Sequence, residues 1–236
     1  MRYSDKLMLV TGGSNGIGRE IARAYSELGA QVIVADKFGN DLDADFYRID
    51  FADPAQTEAM MGILLDKYGD IEIIVNNVGI MQEKPIEEMS NADIWQMLNI
   101  NLVSALITSR EFTKNRFRRG IEKKYGRIVN IASTGYLTTV EHSEVFAASK
   151  GGLVSLTSAL SATLAGYSTT VNCLSPGRIE TQDYTAFSPE PHPHKKLGEP
   201  SDISRACLYL TDEANGFING QNIIIDGGVT KRQAED

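Results

Sequence analysis

The chain has 236 residues, 42% hydrophobic and 23% charged, with a formal net charge of −8 and a pI near 5.0. That length suffices for one domain with a substantial core, and the acidic balance argues against nucleic acid or an anionic membrane as a non-specific partner. No run of about 18 uninterrupted apolar residues is found, which argues against a membrane-spanning helix.

Met1-Arg2-Tyr3-Ser4-Asp5-Lys6 leads straight into Leu7–Val10, the first expected strand, with no signal-peptide pattern before it. Gly16–Leu28 has the apolar spacing of an amphipathic helix, closed by Gly29 as a C-cap. Gln31–Ala35 and Asp45–Ile49 are the next strands, and a helix from Pro54 to Tyr68 leads to the strand Ile71–Val75. A long helical region from Asn91 to Arg119 precedes the strand Arg127–Ile131. Ala147–Ala165 reads as a helix rich in small residues, Thr170–Leu174 as a strand, Asp202–Leu210 as a helix and Gln221–Ile225 as the last strand. Seven β-branched runs alternating with helices, six by expectation, predict an α/β fold: one doubly wound parallel sheet with helices on both faces, in a single domain over 1–236. Gln182–Pro200, with its Pro and His, is expected to be a loop over the site. Cys173 and Cys207 lie in apolar segments and read as buried thiols of a reducing compartment, the cytoplasm by default.

Between the first strand and first helix lies Thr11-Gly12-Gly13-Ser14-Asn15-Gly16-Ile17-Gly18. Glycines there let backbone approach a diphosphate, and the helix start offers unpaired N–H groups to an anion. The spacing is looser than G-x-G-x-x-G. Asp36 ends the second strand, where a carboxylate can accept hydrogen bonds from an adenosine ribose and repel a 2′-phosphate. No Arg or Lys lies inside the glycine loop, so NAD is expected over NADP, although Lys37 adjoins Asp36.

These residues resemble the short-chain dehydrogenase/reductase family, from about Leu7 to Gly228. Thr11-Gly12-x-x-x-Gly16-x-Gly18 matches its cofactor loop, and Asp50 before Phe51 stands where the family places an acid near the adenine. Asn76-Asn77-Val78-Gly79 is similar to its Asn-Asn-Ala-Gly, and Asn101 in Leu98-Asn99-Ile100-Asn101-Leu102 falls on its active-site Asn. Ile128-Val129-Asn130-Ile131-Ala132-Ser133 resembles the strand delivering the active-site Ser. Pro176-Gly177-Arg178-Ile179-Glu180-Thr181 resembles the segment that brackets the nicotinamide carboxamide, and Asp226-Gly227-Gly228 follows the family's last strand. The resemblance implies a Rossmann fold, an NAD(H)-dependent oxidoreductase acting on a small alcohol or carbonyl substrate, and a homodimer or homotetramer built on the Ala147–Ala165 helix and the long helix before it.

One position breaks the pattern. Phe146 stands 13 residues after Ser133 and four before Lys150, where the family carries the Tyr that exchanges a proton with the substrate oxygen. In the family's arrangement Ser133 would hold the substrate oxygen, Asn101 would position a proton-relay water, and Lys150 would bond the nicotinamide ribose. A Lys⁺ about 4 Å from a phenol, at an effective dielectric of about 20, favours phenolate by roughly 4 kcal/mol, and Phe cannot use that bias. Three readings follow: an engineered Tyr→Phe substitution; natural divergence with Tyr136, His142 or Tyr184 supplying the proton; or an NAD(H)-binding regulator or sensor without turnover. Of the remaining motifs, His192-Pro193-His194 lacks further metal ligands. Arg116-Phe117-Arg118-Arg119 with Lys123-Lys124 reads as solvated surface.

Overall fold

In the computed structural model of the chain, the described residues are 2–121, 123–181 and 196–231. Seven strands, β1 (Leu7–Thr11), β2 (Gln31–Asp36), β3 (Asp45–Arg48), β4 (Ile73–Asn76), β5 (Gly126–Ile131), β6 (Thr169–Pro176) and β7 (Asn222–Ile225), form one parallel sheet in the order β3-β2-β1-β4-β5-β6-β7. Helices α1 (Gly16–Glu27), α2 (Pro54–Tyr68), α3 (Asn91–Leu98), α4 (Ser104–Arg119), α5 (Glu144–Leu164) and α6 (Pro200–Thr211) cover it. The chain reverses its direction of travel across the sheet between β1 and β4, and such switch points open a ligand crevice at the carboxyl ends of the strands.

Strand alternation builds two cores. Met8, Val10, Val34 and Leu174 face one way, against Ile21, Tyr25, Ile203 and Leu210 of α1 and α6. Leu9, Ile33, Ile74 and Val171 face the other, against Met60, Leu64 and Phe112 of α2 and α4. Cys173 and Cys207 are free and buried. Local signals set the helix ends: Asp53 caps α2 by accepting from Ala55 N at 2.9 Å, ahead of Pro54. Ser90 and Asp93 close a capping box on α3.

Three expectations change. The helical region from Asn91 to Arg119 is interrupted by a π-helical turn over Asn99–Val103. The small-residue helix begins three positions early, at Glu144, which places Phe146 inside its first turn. Arg116, expected at the surface, is fully buried. Its guanidinium donates to both carboxylate oxygens of Asp70 (3.2 and 3.0 Å) and to the carbonyls of Lys124 and Tyr125 (2.8 and 2.7 Å). Arg118, Arg119, Lys123 and Lys124 are exposed, as expected. Most of the expected loop over the site, 182–195, lies outside the described residues and takes Tyr184, His192 and His194 with it.

Candidate active site

The cradle is built from the ends of β1 and β4. Gly12 has φ +67°, and a Cβ there would stand 2.8 Å from Val78 Cα. A Cβ on Gly18 would clash with the Gly12 carbonyl and the Asn77 amide. Only glycine at both positions lets α1 start against the loop, leaving its first N–H groups without intrahelical partners and open to an anion. The loop is cross-tied by Asn77, whose Nδ2 donates to the carbonyls of Thr11 (3.1 Å) and Gly12 (2.8 Å). Thr11 Oγ1 accepts from the backbone N–H of Asn77 (3.1 Å) and Val78 (3.2 Å). Thr11, the first residue of the loop motif, thus ties the cradle to the end of β4 through its hydroxyl. Ile17 is partly buried and packs against the first core. Gly18→Ala is expected to push α1 outward, at about 1–3 kcal/mol for overpacking, and to abolish saturable dinucleotide binding. A variant that binds a dinucleotide as wild type does would refute that reading of the cradle.

Asp36 is buried at the end of β2. Its Oδ2 accepts from Ser14 N at 3.0 Å and its Oδ1 from Phe38 N at 3.1 Å, while Ser14 Oγ donates to the Phe38 carbonyl at 3.0 Å. The carboxylate is thereby aimed across the loop. Of the neighbouring cations, Lys37 bonds Asp50 at 3.0 Å, and Arg19 makes two bonds to Asp41 (3.0 and 2.9 Å). The Ala52 N–H and then Lys37 hold the Asp50 carboxyl below its usual range. Phe51 is a core side chain, so only its backbone is available to a ligand.

At the carboxyl ends of β5 and β6 the remaining residues converge. Ser133 follows β5, and its Oγ accepts from Gly135 N at 3.1 Å, which leaves its own proton free to donate. The Phe146 ring lies against Gly135, where a Cβ would stand 2.8 Å from Phe146 Cε1. Lys150 is buried, its Nζ donating to the Ile131 carbonyl at 3.0 Å and lying 5.9 Å from the Phe146 ring centroid. Gly79 leaves room for that ammonium, since a Cβ there would stand 3.1 Å from Nζ and 3.5 Å from Asn101 Oδ1.

Asn101, in the π-helical turn, is a clamp. Its Oδ1 accepts from Ile80 N (2.8 Å), and its Nδ2 donates to the Ile80 carbonyl (2.9 Å) and to Ser149 Oγ (3.0 Å). Ser149 Oγ donates in turn to the Phe146 carbonyl at 2.7 Å, a link that sequence reasoning did not single out. After β6, Gly177 N donates to the Ile225 carbonyl (2.8 Å), and Gly198 bridges Arg178 and Glu180. This brings Thr181 Cγ2 over Gly16, 3.4 Å from where a Cβ would be. Pro176 ends β6, and Ile179 is buried in the first core. Asp226 turns the chain after β7 by accepting from Gly228 N (2.9 Å) and Thr230 N (2.7 Å).

Tyr136 points elsewhere. Its hydroxyl accepts from Asn222 Nδ2 at 2.7 Å, at the start of β7, where Asn222 pairs with Cys173 and not with the strand end at Pro176. His142 is exposed at φ +64°, with its carbonyl accepting from Lys84 N at 3.0 Å.

Burial pushes the Lys150 ammonium down to about 8 from an ordinary 10.5. Between those values the unfolded chain holds a proton that the folded chain has released, so this group's contribution to stability rises with pH across the window. Below pH 8 the buried charge is a cost. The difference in urea midpoint between wild type and Lys150→Met is therefore expected to move in favour of wild type from pH 8 to 10.5. A pH-independent difference would show that Lys150 titrates alike in both states.

The family model described as enoyl-(acyl carrier protein) reductase matches residues 12–230. An uncharacterized oxidoreductase of Thermotoga maritima is 35% identical, over 95% of this chain and 96% of its own length. The structure of 4-hydroxyisoleucine dehydrogenase complexed with NADH matches at a TM-score of 0.89 and 28% identity, over 97% of this chain and 100% of its own. ElxO with NADP bound matches at 0.85 and 26%, over 96% and 99%. With the sheet order, the glycine cradle and the Ser133–Lys150 cluster all in place, the chain belongs to the short-chain dehydrogenase/reductase family and is an oxidoreductase.

Proposed function

We propose that this oxidoreductase binds NAD(H) and acts on a small alcohol or carbonyl substrate, with proton transfer impaired by Phe146. The observation that carries the reading is the Phe146 ring seated on Gly135 beside Ser133, with Lys150 Nζ 5.9 Å from its centroid. The proton carrier's place is filled by a ring that holds no proton. When bound, a nicotinamide would supply or accept the hydride. Ser133 would hold the substrate oxygen by a hydrogen bond from its free O–H; Lys150 would bond the cofactor's ribose; Asn101 keeps the Ile80 loop and α5 in register so that these groups stay aligned. Gly12, Ser14, Asn15, Gly16, Ile17 and Gly18 hold the diphosphate, and Asn77, Val78 and Gly79 line its path. Pro176, Gly177 and Thr181 would bracket the nicotinamide, with Ile179 contributing through its backbone because its side chain lies in the first core.

Asp36 supports NAD over NADP, because a 2′-phosphate would meet a carboxylate while Lys37 and Arg19 are engaged by Asp50 and Asp41. The NADH complex of one relative and the NADP complex of another leave the choice to this local charge. NADH is expected to bind at least about tenfold tighter than NADPH, or about 1.4 kcal/mol, as read by quenching of Trp95 or by calorimetry. Equal affinities would remove the Asp36 argument, and no saturable binding of either would remove the cofactor.

The whole chain acts as one domain, in the cytoplasm. Among the described residues no helix is long and apolar enough to cross a membrane. It assembles as a dimer or tetramer, supported by the exposed Trp95 on α3 and Leu106 on α4, two helices that pack on the small-residue-rich α5. Sedimentation as a monomer would end that reading.

A further inference from the structure

Three Asn-Gly dipeptides occur: Asn15-Gly16, Asn215-Gly216 and Asn219-Gly220. This pair is chemically fragile, because glycine has no side chain to shield its amide nitrogen from the preceding side-chain carbonyl carbon. In two of the three, the structure restrains the asparagine. Asn219 Oδ1 accepts from Val171 N at 2.8 Å and its Nδ2 donates to the Ser161 carbonyl at 3.1 Å. Asn215 Nδ2 donates to the Tyr209 carbonyl at 2.7 Å.

Asn15 differs in each respect. It is exposed, it makes no side-chain cap on α1, and its amide has no hydrogen-bond partner among the described residues. It lines an open groove of about 1040 Å³ with Arg19, Asp41 and Thr181, so water reaches it freely. Gly16 is the first residue of α1, and an N–H in that position has no intrahelical acceptor. The helix dipole at that end also favours the anionic nitrogen that the attack requires.

We propose that Asn15-Gly16 is a deamidation site within the cofactor cradle, through which the ageing chain covalently loses dinucleotide affinity. Gly16 N gives up its proton to solvent hydroxide and bonds to Asn15 Cγ. The Nδ2 amine takes a proton from water, which restores the hydroxide, the Cγ–Nδ2 bond breaks and ammonia leaves; a second water then opens the cyclic imide at either carbonyl to give aspartate or isoaspartate. Nothing is oxidised or reduced. The product places a carboxylate at the mouth of α1, where a diphosphate is to be bound, and isoaspartate also lengthens the loop backbone by one atom. The consequence for affinity rests on the NAD(H) reading above; the chemistry at Asn15 does not.

The test ages the full-length wild-type protein in mildly alkaline buffer, with and without saturating NADH, and maps its peptides by mass. Asn15 is expected to convert at least about tenfold faster than Asn215 or Asn219, whose held amides react only through local opening. NADH should slow Asn15 alone. The deamidated form, separated from fresh protein by its added charge on an anion exchanger, is expected to bind NADH roughly tenfold or more weakly, from like-charge repulsion. Conversion of Asn15 no faster than the other two would overturn the site. Unchanged NADH affinity in the separated form would overturn the consequence. Fresh protein that binds no NADH would overturn the consequence together with the cofactor reading, while the peptide map still decides the chemistry.

Discussion

Phe146→Tyr is expected to raise carbonyl reduction by about 10²–10⁴-fold, the usual worth of a positioned general acid, or about 3–5 kcal/mol of barrier. The surroundings for a phenol are already built. Gly135 leaves room for the ring, and Ser149 holds the Phe146 carbonyl from within the helix at 2.7 Å. Lys150 Nζ is the neighbouring cation, 5.9 Å from the ring centroid, and a cation near a phenol oxygen favours phenolate. The added hydroxyl changes little volume, so NADH affinity should stay within about twofold, since volume-conserving changes disturb packing least. The check is kcat on a panel of ketones with NADH, wild type against variant, with the NADH Kd measured alongside. Should the variant keep its NADH affinity and yet reduce no substrate faster, the proton role of position 146 would be wrong for this chain.

The second large effect concerns stability. Arg116→Met is expected to cost about 3–5 kcal/mol, the penalty for leaving a buried charge and its acceptors unpaired. Arg116 is fully buried and lies over the Phe112 ring at 4.4 Å from its centroid. It ties Asp70, after α2, to the carbonyls of Lys124 and Tyr125 ahead of β5. Removing it strands one carboxylate and two carbonyls at the amino-terminal end of the sheet, opposite the cradle. Arg116→Met should therefore lower the urea midpoint at unchanged m, while NADH affinity in the folded protein holds. Arg116→Lys should lose less than Met but not recover the fork, because an ammonium cannot serve both carboxylate oxygens and two carbonyls in one plane. A loss under about 1 kcal/mol would place this pair with ordinary surface ion pairs.

Much of the site was legible in the residues because it depends on local spacing. The glycine loop with Asp36 marked the crevice, and Ser133, just after β5, kept its interval to Phe146 and Lys150 on α5. Strand positions followed from β-branched runs, and helix ends from caps and glycines. Arg116 could have been recognised by continuing the buried stripe of Thr108 and Phe112 by one more helical turn, yet the charged run around it masked that periodicity. The π-helical turn left no comparable mark. Asn99 through Val103 contain neither Pro nor Gly, and the turn goes with bonds from Asn101 to Ile80 and from Asn99 Nδ2 to the Ala52 carbonyl at 2.9 Å.

The residues by themselves determined the alternation of strands and helices, the crevice beside the first glycine loop, and the spacing of Phe146 from Ser133 and Lys150, because each depends on neighbours within a turn or two of chain. The tertiary structure alone decided that Asn101 clamps Ile80, that Tyr136 turns its hydroxyl towards Asn222, that Lys150 is buried deeply enough to lose charge near pH 8, and that Arg116 carries a buried ion pair. The physical reason is common to all four. A hydrogen-bond partner or a desolvating wall comes from another part of the chain, 19 to 86 positions away, and the crossovers of a parallel sheet choose which residues meet.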